Sequence, residues 1–206
     1  MARSDFGRAI AHLELCEKHW SNYVYCLLNH GVALDALGKS DEAERYLRKA
    51  YEVAPKNIHV TFHLGRFLEE KRSKCADAVP LYLSSVHGAG GRYPAADYRA
   101  GACLAKLKRW PEAIVAIRRA LAVEPENGFG WFSLGTISLE AGMFVEADQA
   151  FRRHLALDPR SVQGWYNLAV LKIRVNDFSS AKQALETVVM IDPKSEQGWF
   201  NLIYVA

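Results

Sequence analysis

Little in this chain is extreme, and several classes of protein are excluded by what it lacks. Its 26 Lys and Arg are nearly balanced by 23 Asp and Glu, leaving a charge of +3 over 206 residues. That excess is too small to argue for a nucleic-acid partner. No run approaches the roughly 20 apolar residues that a membrane span requires, and Met1-Ala2-Arg3-Ser4-Asp5 leads into no apolar core of signal-peptide type. Only four cysteines occur, and Cys16, Cys26, Cys75 and Cys103 have no Cys-x-x-Cys spacing. They read as buried free thiols in a reducing compartment, which sets the expectation of a cytoplasmic protein. Metal chemistry finds little support: His59 and His63 are four apart, but no third ligand follows, and the residues between them lack the Glu of His-Glu-x-x-His. The run Gly88-Ala89-Gly90-Gly91 lacks the Gly-Lys-Ser/Thr ending of a phosphate loop, and no strand precedes it. No Ser or Cys stands beside a plausible base. The expectation is a non-catalytic chain with no cofactor and no metal.

What the chain does have is a period. Trp131, Leu134, Gly135, Phe144, Ala147, Phe151 and Pro159 are repeated 34 residues later as Trp165, Leu168, Ala169, Phe178, Ala181, Leu185 and Pro193. A third copy opens at Trp199. A small residue recurs as Ala9, Ala43, Ala78, Ala113, Ala147 and Ala181, and a second as Gly31, Gly65, Gly101, Gly135 and Ala169. Closing prolines stand at Pro55, Pro125, Pro159 and Pro193. Half the residues are apolar and 24% are charged, a globular balance.

The period divides the chain into residues 1–23 (the second half of a repeat, with Phe6, Ala9 and Leu13 in place and Ser21 in the proline slot), 24–57, an irregular unit 58–93, then 94–127, 128–161, 162–195, and a lone first helix at 196–206. Each full unit reads as two amphipathic helices and a short turn, near 129–141 and 145–157 in the fourth. In the first unit, Gly38 suits the end of one helix and Ser40 or Asp41 the cap of the next. The irregular unit holds one additional residue near its turn and one in the connection onward, and Pro80 is expected in the first turn of its second helix. The half-repeat at the start and the apolar helix Trp199–Val205 read as a fragment of a longer array, with a domain swap or end-to-end dimer through the C-terminal helix as the alternative.

A 34-residue period with Trp, Leu-Gly, Ala, Phe and Pro at these offsets resembles the tetratricopeptide repeat family, and the resemblance covers essentially the whole chain. It implies an all-α fold, a right-handed superhelical solenoid of antiparallel helix pairs with a concave groove lined by the first helix of each pair. The implied function is a scaffold binding a peptide or helix of a protein partner in that groove. Two alternatives are the substrate-recruiting arm of a larger enzyme such as a glycosyltransferase, and a structural subunit that assembles through its ends.

Candidate binding residues follow from the groove positions the resemblance implies. The residue after each Trp slot reads Leu28, Phe62, Tyr98, Phe132, Tyr166 and Phe200, a stripe that either packs between helices or stacks on an extended peptide. One position on stand Asn29, His63, Arg99, Ser133, Asn167 and Asn201; an amide there can donate and accept together, so Asn29, Asn167 and Asn201 could hold a partner's main chain. His59, His63, Arg66, Arg99 and Lys106 form a basic wall suited to a partner that is acidic in part. The doublets Arg48-Lys49, Arg118-Arg119 and Arg152-Arg153 fall on second helices, as ordinary solvated charge, and neither nucleic acid nor membrane is expected as a partner.

Overall fold

The computed structural model describes residues 3–19 and 23–205. Ser21, in the first proline slot, lies outside the described residues, as do the side chains of Phe6 and Ala9. Among the described residues there are twelve α-helices and no strand. Two compact units divide the chain, residues 1–107 and 108–206. The first contains α1 (Arg3–His19), α2 (Val24–Ala36), α3 (Ser40–Val53), α4 (Ile58–Arg72), α5 (Cys75–Gly88) and α6 (Pro94–Lys106). The second contains α7 (Trp110–Val123), α8 (Gly128–Glu140), α9 (Phe144–Leu157), α10 (Val162–Arg174), α11 (Phe178–Ile191) and α12 (Glu196–Val205). The boundary between the units falls in the turn after α6, inside the repeat read as 94–127. No described helix is long and apolar enough to cross a membrane.

Helix starts and stops follow local chemistry. Asn57, Asn127, Ser161 and Ser195 each accept a backbone N–H of the first turn of α4, α8, α10 and α12, which satisfies one of the donors left open at a helix start. Every turn within a repeat contains one left-handed residue: Gly38, Ser73, Lys108, Gly142 and Asn176 have φ between 53° and 79°. Beyond it, the N–H of Lys39, Met143 and Asp177 returns to Leu34, Ser138 and Lys172, closing the preceding helix. The expected cap at Ser40 or Asp41 is not made. Lys39 holds the cap position without a side-chain bond, and Ser40 and Asp41 are already helical. The added residue of the irregular unit is absorbed by α4, which has 15 residues where α2, α6, α8 and α10 have 13. Pro80 also departs from expectation: α5 begins at Cys75, so the proline lies inside the helix rather than in its first turn.

The small residues mark where paired helices cross. A methyl group built on Gly135 would stand 2.6 Å from the Phe151 ring, and one on Gly31 2.8 Å from Leu47. Phe151 is fully buried in a cluster with Leu139, Ala147, Leu155, Leu168 and Leu171, against which Phe132, Phe144 and Trp165 pack. Burying such a ring contributes about 2–3 kcal/mol. The repeated tryptophans have a second role. Trp131, Trp165 and Trp199 each donate Nε1–H to the carbonyl of the closing proline six residues earlier, at 2.7, 2.9 and 3.0 Å. The conspicuous Trp and Pro of the pattern are therefore one device, a strap across the connection between repeats. In the first unit the Trp slots hold Leu27, Thr61 and Asp97, all fully buried. Thr61 there meets Ser85 at 2.6 Å, a buried hydroxyl pair in place of the strap.

Neighbouring repeats are joined by contacts that differ between the units. In the second unit His154 is buried between α8 and α10: Nδ1 lies 3.0 Å from the Gly128 carbonyl and Nε2 2.8 Å from Ser161 Oγ. A carbonyl only accepts, so Nδ1 carries the proton and Nε2 accepts from the Ser161 hydroxyl. Gly164 leaves the room for this ring, since a methyl group there would stand 2.7 Å from it. The equivalent positions in the first unit are Cys16 and Cys26, and they are joined by a disulfide between α1 and α2. Likewise Cys75 and Cys103 join α5 to α6, with Cα atoms 5.0 Å apart, at the positions where Phe144 and Leu171 share the core of the second unit. The expectation of free thiols is thereby overturned, because no free cysteine remains. Spacing along the chain failed to reveal the pairs since each forms across a repeat boundary.

Candidate protein-interaction faces

In the first unit, α4 packs against both α2 and α6. His59, Phe62, His63, Arg66 and Glu70 stand at positions i, i+3, i+4, i+7 and i+11 of α4, along one face of the helix. Across from them on α6, Arg99 Nη1 bonds Glu69 Oε2 at 3.0 Å, its Nη2 lies 2.7 Å from Glu70 Oε1, and Lys106 Nζ lies 3.6 Å from Glu69 Oε1. Glu69 also accepts the Tyr82 hydroxyl at 2.7 Å. Burial and then Glu69 push the Tyr82 phenol well above its ordinary range. Arg99 is held above its ordinary value: burial opposes its charge, but Glu69, Tyr82 and Glu70 outweigh it. These two carboxylates, overlooked when the basic residues were read along the chain, neutralise Arg99 and Lys106. They were legible in principle as Glu69-Glu70 three and four residues after Arg66.

The remaining cations of this face differ. Arg66 Nε and His63 Nδ1 are buried and make no hydrogen bond, and Arg66 forms no ion pair among the described residues. Burial first, then Arg66 and His59, hold the His63 ring below its ordinary imidazole value, favouring its neutral form. Phe62 is half-buried against Tyr82 and Tyr93, with ring centres 5.9 and 5.1 Å away, and Leu28 is wholly buried. Tyr98 is half-buried and Asn29 exposed. Two His on one helix make no metal site: among the described residues no group of three or more His, Cys, Asp or Glu stands close enough to hold an ion.

The second unit has its own face. Phe132 lies between Phe151 and His154, at 6.3 and 5.2 Å. Tyr166 packs on the cluster of Ala169, Ala184 and Leu185, and its hydroxyl accepts Asn201 Nδ2 at 3.1 Å. Asn201 also donates to the Gln197 carbonyl, so its amide is committed within the protein. Asn167 is half-buried, and Phe200 is exposed. A separate cleft of about 380 Å³ is lined by Arg118, Leu121, Trp131, Leu134 and Ala150, with Glu146 bonded to Arg118 Nε at 2.7 Å. Two kinds of surface are thus on offer: half-buried aromatics backed by core rings, and polar side chains between them.

Helix pairs that recur within each unit at the 34-residue period, with crossings at Gly and Ala and straps from Trp to Pro, define the tetratricopeptide fold. Tetratricopeptide repeat profiles match residues 24–57, 104–162 and 138–202, and the chain belongs to that family. No curated protein sequence matches it. Several solved structures share the fold. YrrB, described as a TPR protein with an unusual peptide-binding site, superposes with a TM-score of 0.84 at 18% identity, over 92% of this chain and 96% of its own. PilW, a type IV pilus biogenesis factor, gives 0.74 at 18% identity over 97% and 91%. MamA from Desulfovibrio magneticus gives 0.75 at 19% identity over 84% and 97%. At such identities the likeness extends to the fold alone.

Proposed function

We propose that this protein is a non-catalytic interaction scaffold whose first-helix faces hold a peptide or helix of a partner protein. The observation that carries the reading is a pair of half-buried aromatics on the first helices of each unit, Phe62 and Tyr98 in the first and Phe132 and Tyr166 in the second. Phe62, Tyr98, Phe132 and Tyr166 are braced by neighbouring rings and helices yet keep part of each side chain at the surface. Rigid aromatics of this kind anchor partners at little entropic cost. Asn29 and Asn167 supply hydrogen bonds beside them, and the unneutralised Arg66 favours a partner acidic at that point. The peptide-binding site of YrrB is a precedent for the use of this fold. Affinity capture with the full chain, followed by mass spectrometry, names the partner; calorimetry then compares the wild type with Tyr98→Ala and Phe132→Ala. Each is expected to weaken binding by about tenfold or more, as truncation of an aromatic anchor does. Unchanged affinity in both, with the fold intact by circular dichroism, rules out these faces.

A further inference from the structure

The links between repeats differ in chemistry along this chain, and we infer that the α5–α6 junction is a redox switch. Its Cys75–Cys103 disulfide locks α6 beside α5, and a dithiol reductant releases it. A junction with Trp in its slot and Pro six residues earlier forms the indole strap: Trp131 on Pro125, Trp165 on Pro159 and Trp199 on Pro193. Two junctions have neither residue. The slots hold Ser21 and Leu27 between α1 and α2, and Gly91 and Asp97 between α5 and α6. Those are the junctions that carry Cys16–Cys26 and Cys75–Cys103. The junction of α3 with α4 keeps Pro55 and carries neither disulfide. A covalent link therefore stands where the sequence supplies no part of the strap.

An indole–carbonyl hydrogen bond is the same in oxidising and reducing surroundings, whereas a disulfide is undone by two electrons. At the equivalent positions of the second unit, Phe144 and Leu171 share a core with no covalent link. Two free thiols fill less space than that pair, so the reduced α5–α6 contact is the weaker one. The connection adds no rigidity: Gly90 and Gly91 follow each other at φ 63° and 79°, and glycine has the most backbone freedom to regain. Release reaches the interaction face because α6 carries Tyr98 and Arg99, and Arg99 bonds Glu69 and Glu70 of α4. That consequence rests on the reading of Phe62 and Tyr98 as partner anchors. Cys75 is 8% exposed and Cys103 fully buried, so a dithiol meets Cys75 first. Its thiolate attacks Cys75 Sγ, the S–S bond breaks, and Cys103 leaves as a thiolate that takes up the proton. The second thiol of the reductant then displaces Cys75, giving two protein thiols and one oxidised dithiol.

Hydrogen exchange read by mass spectrometry on the full chain, with and without dithiothreitol, tests the switch, and alkylation with iodoacetamide counts the thiols. Cys75 and Cys103 are expected to be alkylated only after dithiothreitol. The amides of α6 are then expected to exchange about tenfold faster or more, as a locally opened helix does, while α9 and α10 keep their rates. Cys75→Ser with Cys103→Ser is expected to show the fast α6 rate in both buffers. Cys16→Ser with Cys26→Ser is expected to leave the α6 response to dithiothreitol intact. Thiols that resist dithiothreitol in the native chain overturn the proposal. So does an α6 rate unchanged when both thiols are free, or an equal acceleration in α9 and α10. No partner enters these measurements, so failure of the switch and failure of the partner-binding reading are told apart.

Discussion

Gly135→Ala tests the crossing geometry directly. The new methyl group would stand 2.6 Å from both Cδ1 and Cε1 of Phe151 and 3.0 Å from Cγ. Phe151 has no free space to move into, being held by Phe132 and the Leu139, Leu155, Leu168 and Leu171 cluster. Overpacking of a filled core costs about 1–3 kcal/mol. Against it stands the better helix propensity of Ala over Gly, up to about 1 kcal/mol. A net loss of about 1–2 kcal/mol is expected, with each kcal/mol lowering the melting temperature by about 4–8 °C in a unit of this size. The next repeat supplies the control: Ala169 fills the same slot without strain because Leu185, not Phe, lies in its cluster. Phe151→Leu should therefore cost less in the Gly135→Ala background than alone, with a coupling of about 1 kcal/mol or more. Urea denaturation followed by circular dichroism measures all four corners of this cycle. A neutral or stabilising Gly135→Ala, or strict additivity with Phe151→Leu, would refute the crossing argument.

Two further predictions concern the first unit. Its disulfides close loops with sequence separations of 10 and 28, and in the chain-entropy account the longer contributes about 3–4 kcal/mol and the shorter somewhat less. Reductant, or Cys75→Ser with Cys103→Ser, is expected to lower the denaturation midpoint of residues 1–107; an identical midpoint with and without reductant contradicts it. The second concerns His63, whose ring is held below its ordinary value, mainly by burial. The unfolded chain then binds more protons than the folded one as pH falls below about 6.5, so stability declines from there until the folded value is passed. Above that range the ring is neutral in both states and contributes no slope. His63→Gln should flatten this part of the stability profile, and a variant retaining the full wild-type slope between pH 7.5 and 5.5 counts against the assignment.

The 34-residue period alone determined the helix pairs, their crossing points and the class of solenoid, because those depend on residues that recur at fixed spacing and act locally. Gly135 opposite Phe151 and the helices of the fourth repeat fell within a residue of their expected places for that reason. The strap from Trp to Pro is also periodic, although its hydrogen bond became apparent only once the indole was placed against the carbonyl. Other features were decided by contacts between repeats, which no spacing encodes. Cys75 meets Cys103 because α5 and α6 pack side by side, and Cys16 meets Cys26 where His154 stands beside Gly164 in the second unit. The basic wall was legible as five basic side chains, but its charge was decided by Glu69 and Glu70 reaching across to Arg99 and Lys106 of α6, leaving Arg66 without a carboxylate.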